Sequence, residues 1–306
     1  MPAIATGRTP TGVTLVVPFR NRAALLPRLL TSLQALTRWP EQVVMVDNGS
    51  TDASALLCEQ FIAQHADRPI LLASEPTPGA CVARNRGLSL CQTPFVYFFD
   101  SDDELSPTFF ADIAPHLTAD IDLVAVPTRV ESRGRLRTRV YRPTADPADQ
   151  VLLSHLNTQA MVLRTDFLRR AGGWNAACPL WNDWELGLRL LCARPRMRWL
   201  TATPYHVIHR HADSLTGPGL APRIEAILQT LRQSLNACGE DERLRRALWL
   251  RHSILSGQCT KEGDPEAARR CDAQTNLLFG RSPHPFLRRY ATCGGRGAWL
   301  LARWLL

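Results

Sequence analysis

Short apolar runs and helical patterns alternate along the first 130 residues. Residues 13–17 form a β-branched run that stops at Pro18, and residues 22–36 carry apolar side chains at helical spacing. A second apolar run, 42–46, ends at Asp47-Asn48-Gly49-Ser50, and 52–64 reads as a helix with Asp52 as its cap. Residues 70–73 predict a strand and 80–90 a helix. Residues 95–99 are continuously apolar and aromatic, as in a strand buried on both faces. A helix over 107–117 and a strand over 123–126 follow. Strands and helices in this order predict a mostly parallel sheet with helices on both faces. In such sheets ligands bind beyond the carboxyl ends of the strands, where the polar clusters 18–22, 47–52 and 100–104 fall.

The pattern then changes. Residues 129–141 alternate and predict a hairpin about Ser132-Arg133-Gly134, with strands at 159–163 and 197–200 and a helix over 183–192. From Pro222 onward only helices are predicted, over 222–236, 241–257, 265–278 and 285–304. Gly217-Pro218-Gly219 breaks the chain between the two regimes, and no internal repeat is visible. We expect an N-terminal tail over 1–12, a catalytic-type α/β domain over 13–216 and a helical C-terminal region over 217–306.

Composition narrows the class. With 306 residues and 45% hydrophobic side chains, the chain is neither disordered nor a disulfide scaffold. Its nine cysteines form no C-x-x-C pair, which argues against zinc and against a disulfide framework. The opening residues lack a signal-peptide pattern, and no apolar run approaches the ~20 residues of a membrane span. The expected setting is therefore the cytoplasm. The formal net charge is +8, and most of the excess sits in the last ninety residues. Such a localised basic surplus suits an anionic surface better than nucleic acid, for which no partner role is expected.

Five segments carry candidate chemistry. Asp100-Ser101-Asp102-Asp103-Glu104 ends a buried strand in a dense acidic cluster. Crowded carboxylates repel unless a cation neutralises them, and hard oxygens at a strand end suit Mg²⁺ or Mn²⁺; an acidic cap for the next helix is the plainer alternative. Asp47, also at a strand end, is placed to accept hydrogen bonds from a nucleoside, or it belongs to an ordinary turn. Arg84 and Arg86 lie two apart on an early helix, so one of them faces a diphosphate or both are solvated. Asp183 stands between Trp181 and Trp184 at a helix start, where apolar rings favour a general base and capping is the alternative. His206, His209 and His211 close the series.

In this order the segments resemble the family 2 glycosyltransferases of GT-A fold. The opening strand and Pro18-Phe19-Arg20, the turn 46–52, Ala83-Arg84-Asn85-Arg86-Gly87 (A-R-N-x-G), Asp100-Ser101-Asp102 (D-x-D), Asn182-Asp183-Trp184-Glu185-Leu186 (near E-D-x-x-L) and 211–216 (H-x-x-S-x-T) each match one of its elements. Asn182 departs from the pattern, standing where the family usually has Glu. The resemblance covers roughly 13–216. It implies an inverting transfer of sugar from a nucleotide-diphosphate donor, UDP-linked in the first instance, to a saccharide or lipid-linked acceptor in polysaccharide or glycolipid synthesis. It implies Asp183 as the base, Asp102 and His211 at Mn²⁺ or Mg²⁺, and Pro18, Arg20, Asp47, Arg84, Arg86, Asp100 and Ser101 at the donor. A sugar nucleotidyltransferase and a non-catalytic nucleotide-sugar or membrane-surface module are the competing readings. For the tail, 287–290 and 299–306 mix arginine with indole and leucine. Two expectations follow: peripheral contact with the inner membrane face, and a homodimer contact.

Overall fold

The computed structural model describes residues 11–132, 134–139, 143–201, 205–209, 219–294 and 297–306. The first half alternates as its pattern predicts: β1 (Val13–Phe19), α1 (Leu26–Gln34), β2 (Gln42–Asp47), α2 (Ser54–Gln64), β3 (Ile70–Ser74), α3 (Ala80–Ser89), β4 (Phe95–Phe98), α4 (Phe109–Ile113) and β5 (Leu123–Ala125). The hairpin β6 (Thr128–Ser132) and β7 (Arg135–Arg139) follows, turning at Gly134 in the left-handed region, φ +73°. Next come α5 (Pro147–Leu153), β8 (Met161–Arg164), α6 (Thr165–Arg170), α7 (Asn182–Cys192), β9 (Met197–Trp199) and β10 (Val207–His209). The C-terminal part is helical: α8 (Ile224–Cys238), α9 (Glu242–Lys261), α10 (Pro265–Phe279), α11 (Pro285–Thr292) and α12 (Ala298–Trp304).

Seven strands form the main sheet in the order β3-β2-β1-β4-β8-β5-β9. All neighbours are parallel except β8, which runs antiparallel to both β4 and β5. Two-residue alternation divides the central strands between two cores. Val13, Leu15, Val17, Phe95, Tyr97 and Phe99 pack beneath α1, α2 and α4. Val16, Val96 and Phe98 pack beneath α3, α6 and α7. Helix α3 lies so close to β1 that a Cβ on Gly87 would sit 2.2 Å from Cγ1 of Val16. The glycine of the A-R-N-x-G segment is thus a contact requirement.

A third core joins the C-terminal helices to the α/β part. Ala148, Val151 and Leu152 of α5 and Trp184 and Leu188 of α7 pack with Ile227, Leu231, Leu248, Ile254 and Leu287. Arg303 of α12 pairs with Asp149 of α5, and Arg243 of α9 with Asp146 at 2.8 Å. Two of the basic residues behind the net charge are therefore paired with carboxylates of α5 and its cap.

The structure differs from the pattern in three places. The helix expected over 285–304 is two helices, because Gly294 and Gly297 both take left-handed backbone, φ +84° and +87°. Helices α5 and α6 carry too few residues to show a periodic pattern, although Asp146 caps α5 by accepting from the Ala148 N–H at 2.9 Å. His206, one of the three histidines, is a core residue packed edge-on against Phe99 and Phe109, and burial pulls its pKa down to about 3. All nine cysteines are free thiols, and burial pushes Cys58, Cys91 and Cys178 up to about 12, far from a reactive thiolate. Among the described residues no helix is long and apolar enough to cross a membrane.

Candidate active site

A cleft of about 1200 Å³ opens beyond the carboxyl ends of β1 and β4 and extends to the C-terminal helices. Pro18 and Arg20, just past β1, form one end. Asp100, Ser101, Asp102 and Asp103, just past β4, form the floor, and Trp181, Asn182, Asp183 and Trp184 at the start of α7 form the facing wall.

The acidic floor is organised by hydrogen bonds. Arg84 Nη2 donates to Asp100 Oδ1 at 2.8 Å, and Nη1 donates to Asn182 Oδ1 at 3.2 Å. The guanidinium lies over the Trp174 ring, 4.4 Å from its centroid. Gln159 donates from Nε2 to Asp100 Oδ2 at 2.8 Å and to Asp103 Oδ2 at 2.5 Å. Asp103 also accepts from the His209 N–H at 2.7 Å. Burial raises the pKa of Asp100, Arg84 pulls it back, and the charges of Asp102 and Asp183 raise it again. Burial raises Asp103 well above the usual carboxylate range, with Asp100 and Asp102 adding to the rise.

On the facing wall Trp181 adopts left-handed backbone, φ 54°, a strained conformation for a large side chain, immediately before α7. Asp183 occupies the first turn of α7, and its Oδ1 accepts from the Trp184 N–H at 2.8 Å. Glu185 points away into a buried pair with Arg189, 2.9 Å to both Nε and Nη2, and Arg189 is held in turn by the Gly173 carbonyl. Of the two acids only Asp183 lines the cleft.

Other expected residues fall differently. Arg84 is buried in the cleft wall with Nη2 held by Asp100 and Nη1 by Asn182, so it ties the D-x-D loop to α7, while its buried Nε has no hydrogen-bond partner. Arg86 is exposed and outside the cleft, since two residues along a helix turn a side chain to the other face. Asp47 accepts from the Ser50 N–H at 2.9 Å and sits beside the cleft; its neighbour Asn48 is in the wall. His211 and the rest of 211–216 lie outside the described residues. Asn85 clasps the Trp174 backbone through two 2.8 Å hydrogen bonds, a structural task.

Sequence reasoning missed Gln159 and Arg251. Gln159 was legible only as the start of a strand. Arg251 lies inside a helical pattern of the C-terminal region, with no motif near it. It is buried, lines the cleft, and sits among Trp181, Trp184 and Trp299 at 4.4, 4.7 and 4.8 Å.

Among the described residues no three His, Cys, Asp or Glu side chains converge to hold a metal ion by themselves. The donor set still fits a hard cation that arrives with its substrate. Such a cation takes one or two carboxylates and completes its shell from phosphate oxygens and water, and Asp102 lines the cleft beside Asp100.

The family model described as Glycosyl transferase family 2 matches residues 14–173, more than half of the chain. The chain belongs to glycosyltransferase family 2. A pre-mycofactocin glycosyltransferase of Mycobacterium tuberculosis is 30% identical over 213 residues, 64% of this chain and 43% of that protein. The match therefore spans less than half of the relative's length. S. aureus TarS 1-349, solved with UDP, superimposes with a TM-score of 0.64 at 17% identity, covering 95% of this chain and 89% of that one. The mannosyltransferase PcManGT from Pyrobaculum calidifontis, solved with GDP-Man and Mn²⁺, gives 0.59 at 16% identity, covering 95% and 85%. These structural likenesses establish that the mostly parallel sheet and its helices are of the GT-A type. The family match ends nine residues before Asn182, so it covers the acidic floor but not the wall that carries Asp183.

Proposed function

We propose that this family 2 member is an inverting glycosyltransferase, moving a sugar from a nucleoside diphosphate sugar to an acceptor hydroxyl. The observation that carries the reading is the pairing of Asp102 on the floor with Asp183 on the opposite wall of one cleft. A divalent cation, Mn²⁺ or Mg²⁺, held by Asp102 with Asp100 behind it, would supply electrostatic stabilisation to the departing diphosphate. Pro18 and Arg20 lie where the nucleoside would enter, with Asn48, and Asp47 beside it, at the same end. Ser101 and Asp100 face the ribose. Arg84 and Gln159 act behind them, fixing the direction in which Asp100 presents its oxygens.

Asp183 takes the proton of the acceptor hydroxyl as its oxygen attacks the anomeric carbon. The bond from that carbon to the diphosphate oxygen breaks on the opposite side, which inverts the configuration. The carboxylate needs to be ionised at the outset to accept that proton. TarS has been solved with UDP-GlcNAc, and this makes UDP-linked donors the first to try. The acceptor we favour is a saccharide, free or lipid-linked, in polysaccharide or glycolipid synthesis. Leu300 at the cleft rim and the exposed Phe286 and Trp304 support an apolar contact there, with the cytoplasmic membrane face or with a second copy of the chain. Arg303 is engaged by Asp149, which leaves that contact more apolar than charged.

The test is a panel of nucleotide sugars with product analysis. Release of nucleoside diphosphate supports the transferase. Release of pyrophosphate from a nucleoside triphosphate and a sugar phosphate points to a nucleotidyltransferase. Tight donor binding with no turnover on any acceptor points to a binding module. Sedimentation with anionic vesicles, compared with light scattering in their absence, separates the membrane contact from the dimer.

A further inference from the structure

Arg251 is 4% exposed, yet among the described residues it forms no ion pair. Its Nη1 donates to the Val151 carbonyl and, at 3.4 Å, to Ser154 Oγ. Its buried Nε has no hydrogen-bond partner. Three indoles surround the guanidinium within 5 Å, two from the start of α7 and one from α12. Cation–π contacts offset part of the desolvation of a cation but do not neutralise it. Burial pulls its pKa down to about 9, so it remains charged at neutral pH, and the nearby Asp183 carboxylate favours that charge. A buried arginine with an unused N–H, in the wall of an open cleft, lacks an anion.

A second orphan lies on the same helix face. Gln258 is seven residues further along α9, two turns on and roughly 10 Å along the axis. It lines the same cleft, and its buried Oε1 has no partner. One unused donor and one unused acceptor therefore belong to the wall of the same cleft, the donor among the indoles and within electrostatic reach of Asp183. Indole faces suit the apolar face of a sugar ring, a carboxamide oxygen suits a sugar hydroxyl, and a planar guanidinium suits an oxyanion.

We propose that Arg251, Gln258 and the indoles of Trp181, Trp184 and Trp299 form an acceptor subsite for a saccharide that carries an oxyanion, phosphate or carboxylate. It rests on the reading of Asp183 as the base, because the subsite is an acceptor site only if the reacting hydroxyl lies between Arg251 and Asp183. The C-terminal helices then belong to the active site, since α9 supplies the anion anchor and α12 one wall.

The test is a titration of intrinsic tryptophan fluorescence in the full chain, with UDP and Mn²⁺ present at saturation, using glucose 1-phosphate, glucuronate and glucose as probes. The expected result is saturable quenching by at least one charged probe with a Kd about tenfold or more below that of glucose. The comparison of the two charged probes tells phosphate from carboxylate. Arg251→Gln should erase the preference, and Gln258→Ala should weaken charged and neutral probes alike. Equal affinity for all three probes overturns the proposal, even if Arg251→Gln fails to fold. So does a charged probe that binds only when UDP is absent, because it then occupies the donor's phosphate site. Calorimetry of UDP binding, run separately, tests the transferase reading: failure there with an Arg251-dependent anion preference intact would remove the reading and leave the anion site.

Discussion

Arg84 Nη2 lies 2.8 Å from Asp100 Oδ1, and the same guanidinium reaches Asn182 at the start of α7. One side chain on α3 thus fixes the floor of the cleft relative to its wall. Asn182 takes the place of the family's usual Glu and offers only one neutral acceptor, which leaves Arg84 with a single carboxylate partner.

Arg84→Met should therefore weaken the site in a pH-dependent way. Arg84 is the chief influence holding the Asp100 carboxyl down against burial, so its loss raises that pKa further. UDP affinity, measured by calorimetry as a function of pH, should depend on pH more steeply in the variant and weaken at a higher pH than in the parent. Stability should fall by about 1–3 kcal/mol, the usual loss for a hydrogen bond to a charged group in a partly exposed pair. A flat profile and unchanged stability would mean Arg84 neither positions nor ionises Asp100.

Gly87→Ala tests the helix–strand contact. The added methyl would meet Val16 Cγ1 at 2.2 Å, and overpacking of this kind costs roughly 1–3 kcal/mol, more than alanine's helix preference returns. The double variant Val16→Ala, Gly87→Ala should recover part of the loss in urea unfolding. Additive losses would show that the two side chains are not in contact.

For the base, Asp183→Asn should retain UDP binding within about twofold and reduce kcat by roughly 100-fold or more. Glu185→Gln should instead lower the melting temperature, because it weakens the buried pair with Arg189 that anchors α7 to the Gly173 carbonyl. Loss of turnover in Glu185→Gln with near-normal Asp183→Asn would exchange their roles.

Much of this site can be read from local sequence, and the exceptions have physical causes. Asp102 follows, and Asp183 opens, an element with a strong pattern, so their places beyond β4 and at the head of α7 are predictable from neighbouring residues alone. Arg84 lies in an equally clear helix, but which way it points depends on Asp100 and Asn182, 16 and 98 residues away. Gln159 and Arg251 stand in segments with no recognisable motif, and their partners come from distant parts of the chain. The antiparallel entry of β8 between β4 and β5 follows from chain routing, and its Met-Val-Leu-Arg sequence does not encode direction.

Asp102→Asn addresses the cation. If Asp102 holds it, Mn²⁺ should strengthen UDP binding to the parent by about tenfold or more and leave the variant almost unaffected, with circular dichroism unchanged. A variant that keeps the full Mn²⁺ response would place the cation elsewhere, with Asp100 and His211 the next to test.

The last prediction concerns acid stability and His252, buried in α9. Its Nδ1 lies 2.8 Å from the Leu248 carbonyl and its Nε2 is 3.3 Å from Gln274 Nε2. That amide nitrogen also donates to the Leu228 carbonyl at 2.8 Å, so its orientation is fixed and Nε2 of His252 must accept. The ring is therefore neutral with its proton on Nδ1, and burial pulls its pKa down to about 4 from 6.5. Between those values the unfolded chain binds the proton that the folded chain refuses. The linkage makes folding less favourable as pH falls through 6.5, and the loss is complete only below about 4. At pH 5 the penalty is roughly 2 kcal/mol, from 1.5 pH units at about 1.4 kcal/mol each. Other groups also contribute to the pH dependence, Asp103 with the opposite sign because its pKa is raised, so the parent's own profile does not isolate the effect. The difference between His252→Gln and the parent does, since the variant lacks the titrating ring. Measured by urea unfolding, that difference should shift in the variant's favour by roughly 2 kcal/mol between pH 7 and pH 5. A constant difference across that range would show that the ring stays accessible to protons in the folded chain.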